Sequence, residues 1–169
     1  MMSYRDHFAQ ADDLINHLKT IMPTVDDPML QRKYIGFVSV TAITVYELAI
    51  KQIFKDFAEK KHTVLGNFTK SYFKRINGRI ALKIIKEQYV ASFGEKYLRK
   101  FKGILEIERE KHLRSERRDF CSSYANLILW RNEFAHEGKV TANATFDDVV
   151  LAYEDGKKVI DSLNSTMYR

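Results

Sequence analysis

Residues 26–60 read DDPMLQRKYIGFVSVTAITVYELAIKQIFKDFAEK, and whether this stretch forms a helix or strands decides the fold. Its β-branched centre, Val38 to Val45, invites a strand reading, but alternation fails at Ala42-Ile43 and no turn residues bound it. Core-type residues recur instead at helical steps through Tyr34, Phe37, Val38, Thr41, Val45, Leu48, Ile53 and Phe57. Asp26-Asp27-Pro28 supplies a cap with a proline at an early helical position. One long helix to about Lys60 follows, and with it an all-α chain. The same stretch is the most apolar in the sequence. Ser39, Thr41, Thr44 and Glu47 interrupt it, leaving it short of the roughly 18 apolar residues of a membrane span, so it is expected to be a buried core helix.

Outward from this helix the pattern stays helical. Phe8, Ala11, Leu14 or Ile15, Leu18 and Ile21 share one face of a first helix from about Ser3 to Met22, which ends at Pro23. On the other side Gly66-Asn67 opens a basic middle. Gly78 and Gly94 divide it into pieces near Thr69–Asn77, Arg79–Ala91 and Glu95–His112. Ser115, with Arg117 and Arg118 expected exposed, announces a further helix carrying Phe120, Tyr124, Leu127, Trp130 and Phe134 on one face as far as Gly138. Thr145 with Asp148 three positions on has the form of a capping box, and Val149, Ala152, Tyr153, Val159, Ile160 and Leu163 supply a last helix, which Gly156 weakens without ending.

At 169 residues the chain fits a single domain, read here as 1–169, and can bury a core without disulfides or a structural metal. Seven Gly and two Pro are few, as suits long helices. The lone Cys121, between Phe120 and Tyr124, reads as a buried thiol rather than a nucleophile. The N-terminus carries no apolar signal segment, so a cytoplasmic protein with no membrane role is expected. From Lys70 to Arg118 there are 15 Lys and Arg against 6 Asp and Glu, a balance of +9, whereas the remainder has 13 against 16. Such asymmetry suits a polyanion, because each cation that neutralises a phosphate releases counterion. Lys74, Arg75, Arg79 and Lys83 are the candidate RNA contacts, interleaved with Phe68, Tyr72, Phe73, Tyr89, Phe93, Tyr97 and Phe101. Those aromatics could stack bases, although helical spacing equally serves a core.

No Gly-rich phosphate loop, zinc-type Cys/His spacing or Ser nucleophile elbow is present, and His7, His17, His62 and His112 show no paired ligand spacing. No metal or cofactor is therefore expected. What remains is Arg131-Asn-Glu-Phe-Ala-His136 at the end of the aromatic helix. RNA scission without a metal needs a base for the 2′-OH, an acid for the leaving 5′-oxygen and positive charge on the phosphorane. Imidazole can give and take a proton near neutral pH, and guanidinium forks donors onto phosphate oxygens. On a regular helix Asn132 and His136 share a face while Arg131 points roughly 140° from His136. A long Arg side chain, and unwinding of the last turn before Gly138, could bring the pair together. The helix C-terminus also favours imidazolium, which suits a general acid.

This motif, late in a helical chain and followed by one more amphipathic helix, resembles the HEPN superfamily. Its ribonuclease members carry Arg, usually a polar residue next, then His after four to six positions. The likeness is clearest from about Ser115 to Leu163. It implies a HEPN-like bundle of long antiparallel helices with a C-terminal helix after the Arg-x4-His motif. It also implies a homodimer with two motifs facing one cleft, and endoribonuclease activity leaving a 2′,3′-cyclic phosphate. Many members act as toxins of toxin-antitoxin or abortive-infection systems, so RNA and a cognate antitoxin or companion protein are the expected partners. By this resemblance Arg131 and His136 are catalytic and Asn132 positions them or the phosphate. Separately, Glu47, within an apolar helix, could hydrogen-bond the Arg131 guanidinium or equally be a structural carboxylate, and Glu133 is a similar candidate expected to be exposed. Two alternatives stay open: a catalytically silent module that binds RNA, nucleotide or a partner protein, and a helical scaffold with no nucleic-acid role.

Overall fold

The structure is a computed structural model and describes residues 3–137 and 144–168. Within them the chain is helical and has no strand. A 3-10 turn, Tyr4–Phe8, leads into α1 (Ala9–Ile21); α2 (Pro28–Lys61) and α3 (Thr63–Phe73) follow. A short α4 (Leu82–Ile84) passes into a π turn, Ile85–Val90, and a 3-10 turn, Ala91–Phe93. Then come α5 (Glu95–Glu116), α6 (Phe120–Glu137) and α7 (Phe146–Met167).

Helix α2 is the axis of the bundle, in contact with α1, α3, α6 and α7. Asp27 caps it, its carboxylate accepting from the Met29 amide at 2.8 Å, and Pro28 needs no partner in the first turn. Its middle is buried on most sides, from Val38 through Ala42, Val45, Tyr46 and Ile50 to Phe54, because a helix surrounded by others cannot be amphipathic. Gly36 lies against Phe134 and Tyr46 against Tyr124, so α2 runs antiparallel to α6. Phe54 on Phe73 and Glu59 on Gly66 make α3 antiparallel to α2, and Lys100 to Thr166 with His112 to Asp155 make α5 antiparallel to α7. The long antiparallel helices implied by the resemblance are present.

Tyr46 forms the centre of the core, stacked between Tyr124 of α6 at 5.7 Å and Tyr153 of α7 at 5.6 Å. Each hydroxyl has an acceptor, as buried polar groups require. Tyr46 donates to the Tyr153 carbonyl, Tyr124 to the Ile80 carbonyl at 2.7 Å, and Tyr153 to Asp12 at 2.8 Å. Burial pushes the Tyr46, Tyr124 and Tyr153 phenols well above their ordinary range.

Helix α2 is long and apolar enough to cross a bilayer, which corrects the expectation that it falls short, but more than half of its most apolar stretch is packed inside the protein. Two boundaries also differ from expectation. Helix α3 begins at Thr63, not after Gly66-Asn67, because extended His62 caps it by accepting from the Val64 amide at 3.2 Å; Gly66 lies inside the helix, where it lets Glu59 approach. Helix α5 runs on through Ser115 to Glu116 and stops at Arg117, which adopts φ 57°. Asp119, not Ser115, caps α6, accepting from the Cys121 amide at 3.0 Å and from Arg109 at 2.7 Å. Burial opposes ionisation of Asp119, but these hydrogen bonds and one from Ser122 outweigh it and hold its carboxyl below the usual range. The Thr145/Asp148 capping box forms as expected.

Candidate functional site at the end of α6

Helix α6 stays regular through His136 to Glu137, so the unwinding expected before Gly138 does not occur within the described residues. The motif therefore keeps helical geometry. Asn132 and His136 are exposed, one turn apart on one face, and Arg131 points elsewhere. Its Nη2 donates to the Gly78 carbonyl at 2.9 Å, while its Nε is buried without an acceptor among the described residues. Glu133 is half-buried on the same helix.

The turn that receives Arg131 is irregular by necessity. Asn77 has φ 24° and Gly78 φ 75°, a left-handed conformation that glycine adopts without steric cost. Three successive carbonyls of this turn each accept from a different side chain. Gly78 takes Arg131, Arg79 takes the Tyr89 hydroxyl at 2.7 Å, and Ile80 takes the Tyr124 hydroxyl at 2.7 Å. Glu47 of α2 holds the turn from the other side by accepting from the Gly78 amide, and it also pairs with Lys51 at 2.5 Å. Glu47 and Arg131 thus hold the amide and the carbonyl of one residue, Gly78, and do not form the direct hydrogen bond expected from the sequence.

On the side of α6 away from Asn132 and His136, Phe134 lies over Gly36 and lines an apolar cleft of about 500 Å³ with Leu14, Leu18, Met29, Tyr34 and Phe37. Phe37 is 55% exposed and Met29 54%, although both are large apolar side chains. A model of the RiboL-PSP-HEPN family matches residues 6–168, nearly the whole chain. The chain belongs to the RiboL-PSP-HEPN family. No curated protein and no solved structure gives a significant match. The HEPN fold expected from the Arg-x4-His segment is thereby shown over a span much longer than the motif itself.

The basic residues expected to meet RNA are divided by this HEPN bundle. Arg75 and Arg79 line a second cleft with Phe68 and Tyr72, and neither has a carboxylate partner among the described residues. Lys83 is exposed and pairs with Glu87 at 4.0 Å, and Lys74 is an exposed residue at the end of α3. The interleaved aromatics divide too. Phe73, Tyr89 and Phe101 belong to the core and Phe93 and Tyr97 pack against it, whereas Phe68 and Tyr72 are exposed.

One polar cluster had no signal in the sequence. Asp155 of α7, almost fully buried, accepts from Arg118 at 3.1 Å through two nitrogens, from Ser123 at 2.9 Å, and lies 2.9 Å from His112. Burial opposes its ionisation, but the Arg118 and Ser123 hydrogen bonds and the nearby positive charge prevail, holding its carboxyl below the usual range. Arg118 is consequently not the free, exposed cation expected beside Arg117. The cluster joins α5, α6 and α7, and its members are far apart in the chain. Cys121 is half-buried, and desolvation pushes its thiol up to about 11, in keeping with an unreactive side chain.

Proposed function

We propose that this HEPN protein is an endoribonuclease that acts as a homodimer, with Arg131, Asn132 and His136 of both subunits around one scissile phosphodiester. The single observation that carries the reading is the end of α6. Asn132 and His136 are presented to solvent together on one face of the helix, open to a substrate or to a second copy of the chain. A twofold contact across that face would bring two motifs together.

One imidazole takes the 2′-OH proton as the oxygen attacks phosphorus. The His136 of the partner subunit delivers a proton to the departing 5′-oxygen, leaving a 2′,3′-cyclic phosphate and a 5′-hydroxyl. Arg131 places positive charge beside the phosphorane once its guanidinium turns from the Gly78 carbonyl, and Asn132 donates to a phosphate oxygen or orients His136. No proton or charge transfer in this scheme requires a metal. By likeness to ribonuclease members of the superfamily, the cellular role is that of a toxin or antiphage effector in the cytoplasm, restrained by a cognate antitoxin or companion protein.

A second reading is an RNA-binding HEPN module without cleavage, and the observation favouring it is the inward bond of Arg131 to the Gly78 carbonyl. Incubating purified protein with total or transfer RNA in EDTA separates the two. Cleavage that disappears in His136→Ala and Arg131→Ala supports the nuclease; salt-sensitive binding without any cleavage supports the module.

A further inference from the structure

Away from the motif, the turn held by Arg131 has a second face. Phe68, Tyr72, Arg75, Arg79, Gln88 and Tyr89 line a cleft of about 380 Å³ there, within the size range of small-ligand sites. Phe68 is 67% and Tyr72 46% exposed, and their rings lie nearly parallel, 16° apart, with centroids 6.5 Å from each other. Tyr72 and Tyr89 meet edge to face at 6.4 Å, so the platform is braced from below by a core residue. Arg75 and Arg79 add two cations that no carboxylate neutralises among the described residues, within the segment whose balance is +9. Gln88 supplies an amide able to read a base edge.

We infer that this cleft is a binding subsite for single-stranded RNA, in which a base stacks on Phe68 and Tyr72 while Arg75 and Arg79 hold the flanking phosphates. Exposed rings beside unpaired guanidinium groups are the combination that single-strand sites use, since every base has a π face and every linkage a charge. A protein partner would have to supply carboxylates for the two arginines as well as apolar area for the rings, whereas each nucleotide of a single strand carries both a charged linkage and a π face; duplex RNA hides its base faces. The subsite shares the 77–80 turn with Arg131: the Arg79 carbonyl accepts from Tyr89, and the carbonyl of the preceding residue, Gly78, accepts from Arg131. The inference rests on RNA being the target proposed above, but not on cleavage.

The test uses His136→Ala protein, so that the RNA stays intact, and a fluorescent single strand of about a dozen nucleotides. Phe68→Ala and Tyr72→Ala should each weaken binding about tenfold. Replacing Arg75 and Arg79 by Gln should lower the slope of log affinity against log salt by about 0.7 per arginine, whereas Lys111→Gln should change neither. Photocrosslinking 4-thiouridine RNA to the chain with these four cleft residues intact should label residues between 68 and 89, a readout that does not depend on any variant folding. Unchanged affinity in the cleft variants, crosslinks confined elsewhere, or equal displacement by duplex RNA or a free mononucleotide would overturn the inference. Loss of binding in the cleft variants alongside a native protein that never cleaves would end the nuclease reading and leave the subsite standing.

Discussion

Gly78→Ala perturbs the contact on which the geometry of Arg131 depends. At φ 75° an alanine pays the left-handed penalty of about 1–2 kcal/mol. Its Cβ would also stand 2.6 Å from Nη2 and 3.2 Å from Cζ of Arg131, so the guanidinium must leave the Gly78 carbonyl. A hydrogen bond from a charged group contributes about 1.5–3 kcal/mol, giving a total of about 2.5–5 kcal/mol. For a chain of this length that lowers the melting temperature by about 5–20 °C. Urea denaturation of Gly78→Ala, Arg131→Ala and the double variant closes a cycle that isolates the contact. In the Arg131→Ala background the glycine substitution should cost only its backbone part, about 1–2 kcal/mol. Equal costs in both backgrounds would refute the claim that Arg131 is anchored on this turn.

Three other consequences can be checked separately. Gly156→Ala adds a Cβ 2.6 Å from the Tyr46 hydroxyl and 3.0 Å from its ring, which the tyrosine stack holds in place; despite about 1 kcal/mol of helix propensity gained, a net loss of about 1–3 kcal/mol is expected by denaturation. Asp155→Ala leaves His112 buried without its partner and Arg118 with only its 3.8 Å pair to Glu116, and should cost about 3 kcal/mol, the lower end of the range for a broken buried pair, since Arg118 is 38% exposed and can rehydrate. Because the folded Asp155 carboxyl titrates below its unfolded value, its stabilisation is complete above about pH 4 and fades as pH falls through the folded value; Asp155→Asn should lose that part of the acid sensitivity. With its thiol at about 11, Cys121 should have roughly one part in a thousand as thiolate at pH 8, and iodoacetamide should modify it far more slowly in folded protein than in urea.

The helices most legible in the sequence are those whose ends are written in local chemistry. Asp27-Pro28 and Thr145 with Asp148 sit where their side chains cap α2 and α7, and the all-round apolar pattern of α2 is what a central helix requires. Where the stop or start used an unusual residue, the sequence misled. His62 caps α3 in place of Ser, Thr, Asp or Asn, and Arg117, not glycine, takes the left-handed position after α5. The candidate site was legible only as a list of side chains. Arg131 meets Gly78 across 53 residues and Glu47 meets Gly78 across 31, so the residue they share depends on how α2 and α6 cross the turn, a tertiary fact. The Asp155 cluster was invisible for the same reason, its hydrogen bonds spanning 32 to 43 residues.

The central claim, that two imidazoles serve one phosphodiester, is tested most directly by mixing subunits. Native and His136→Ala chains are combined in equal amounts, allowed to reassort fully, and assayed for RNA cleavage in EDTA at constant total protein. Random pairing leaves about one quarter of the dimers with both histidines, so the rate should be about one quarter of native. A rate of about one half would mean that each subunit cuts alone, and no cleavage by the native dimer would contradict the nuclease account altogether.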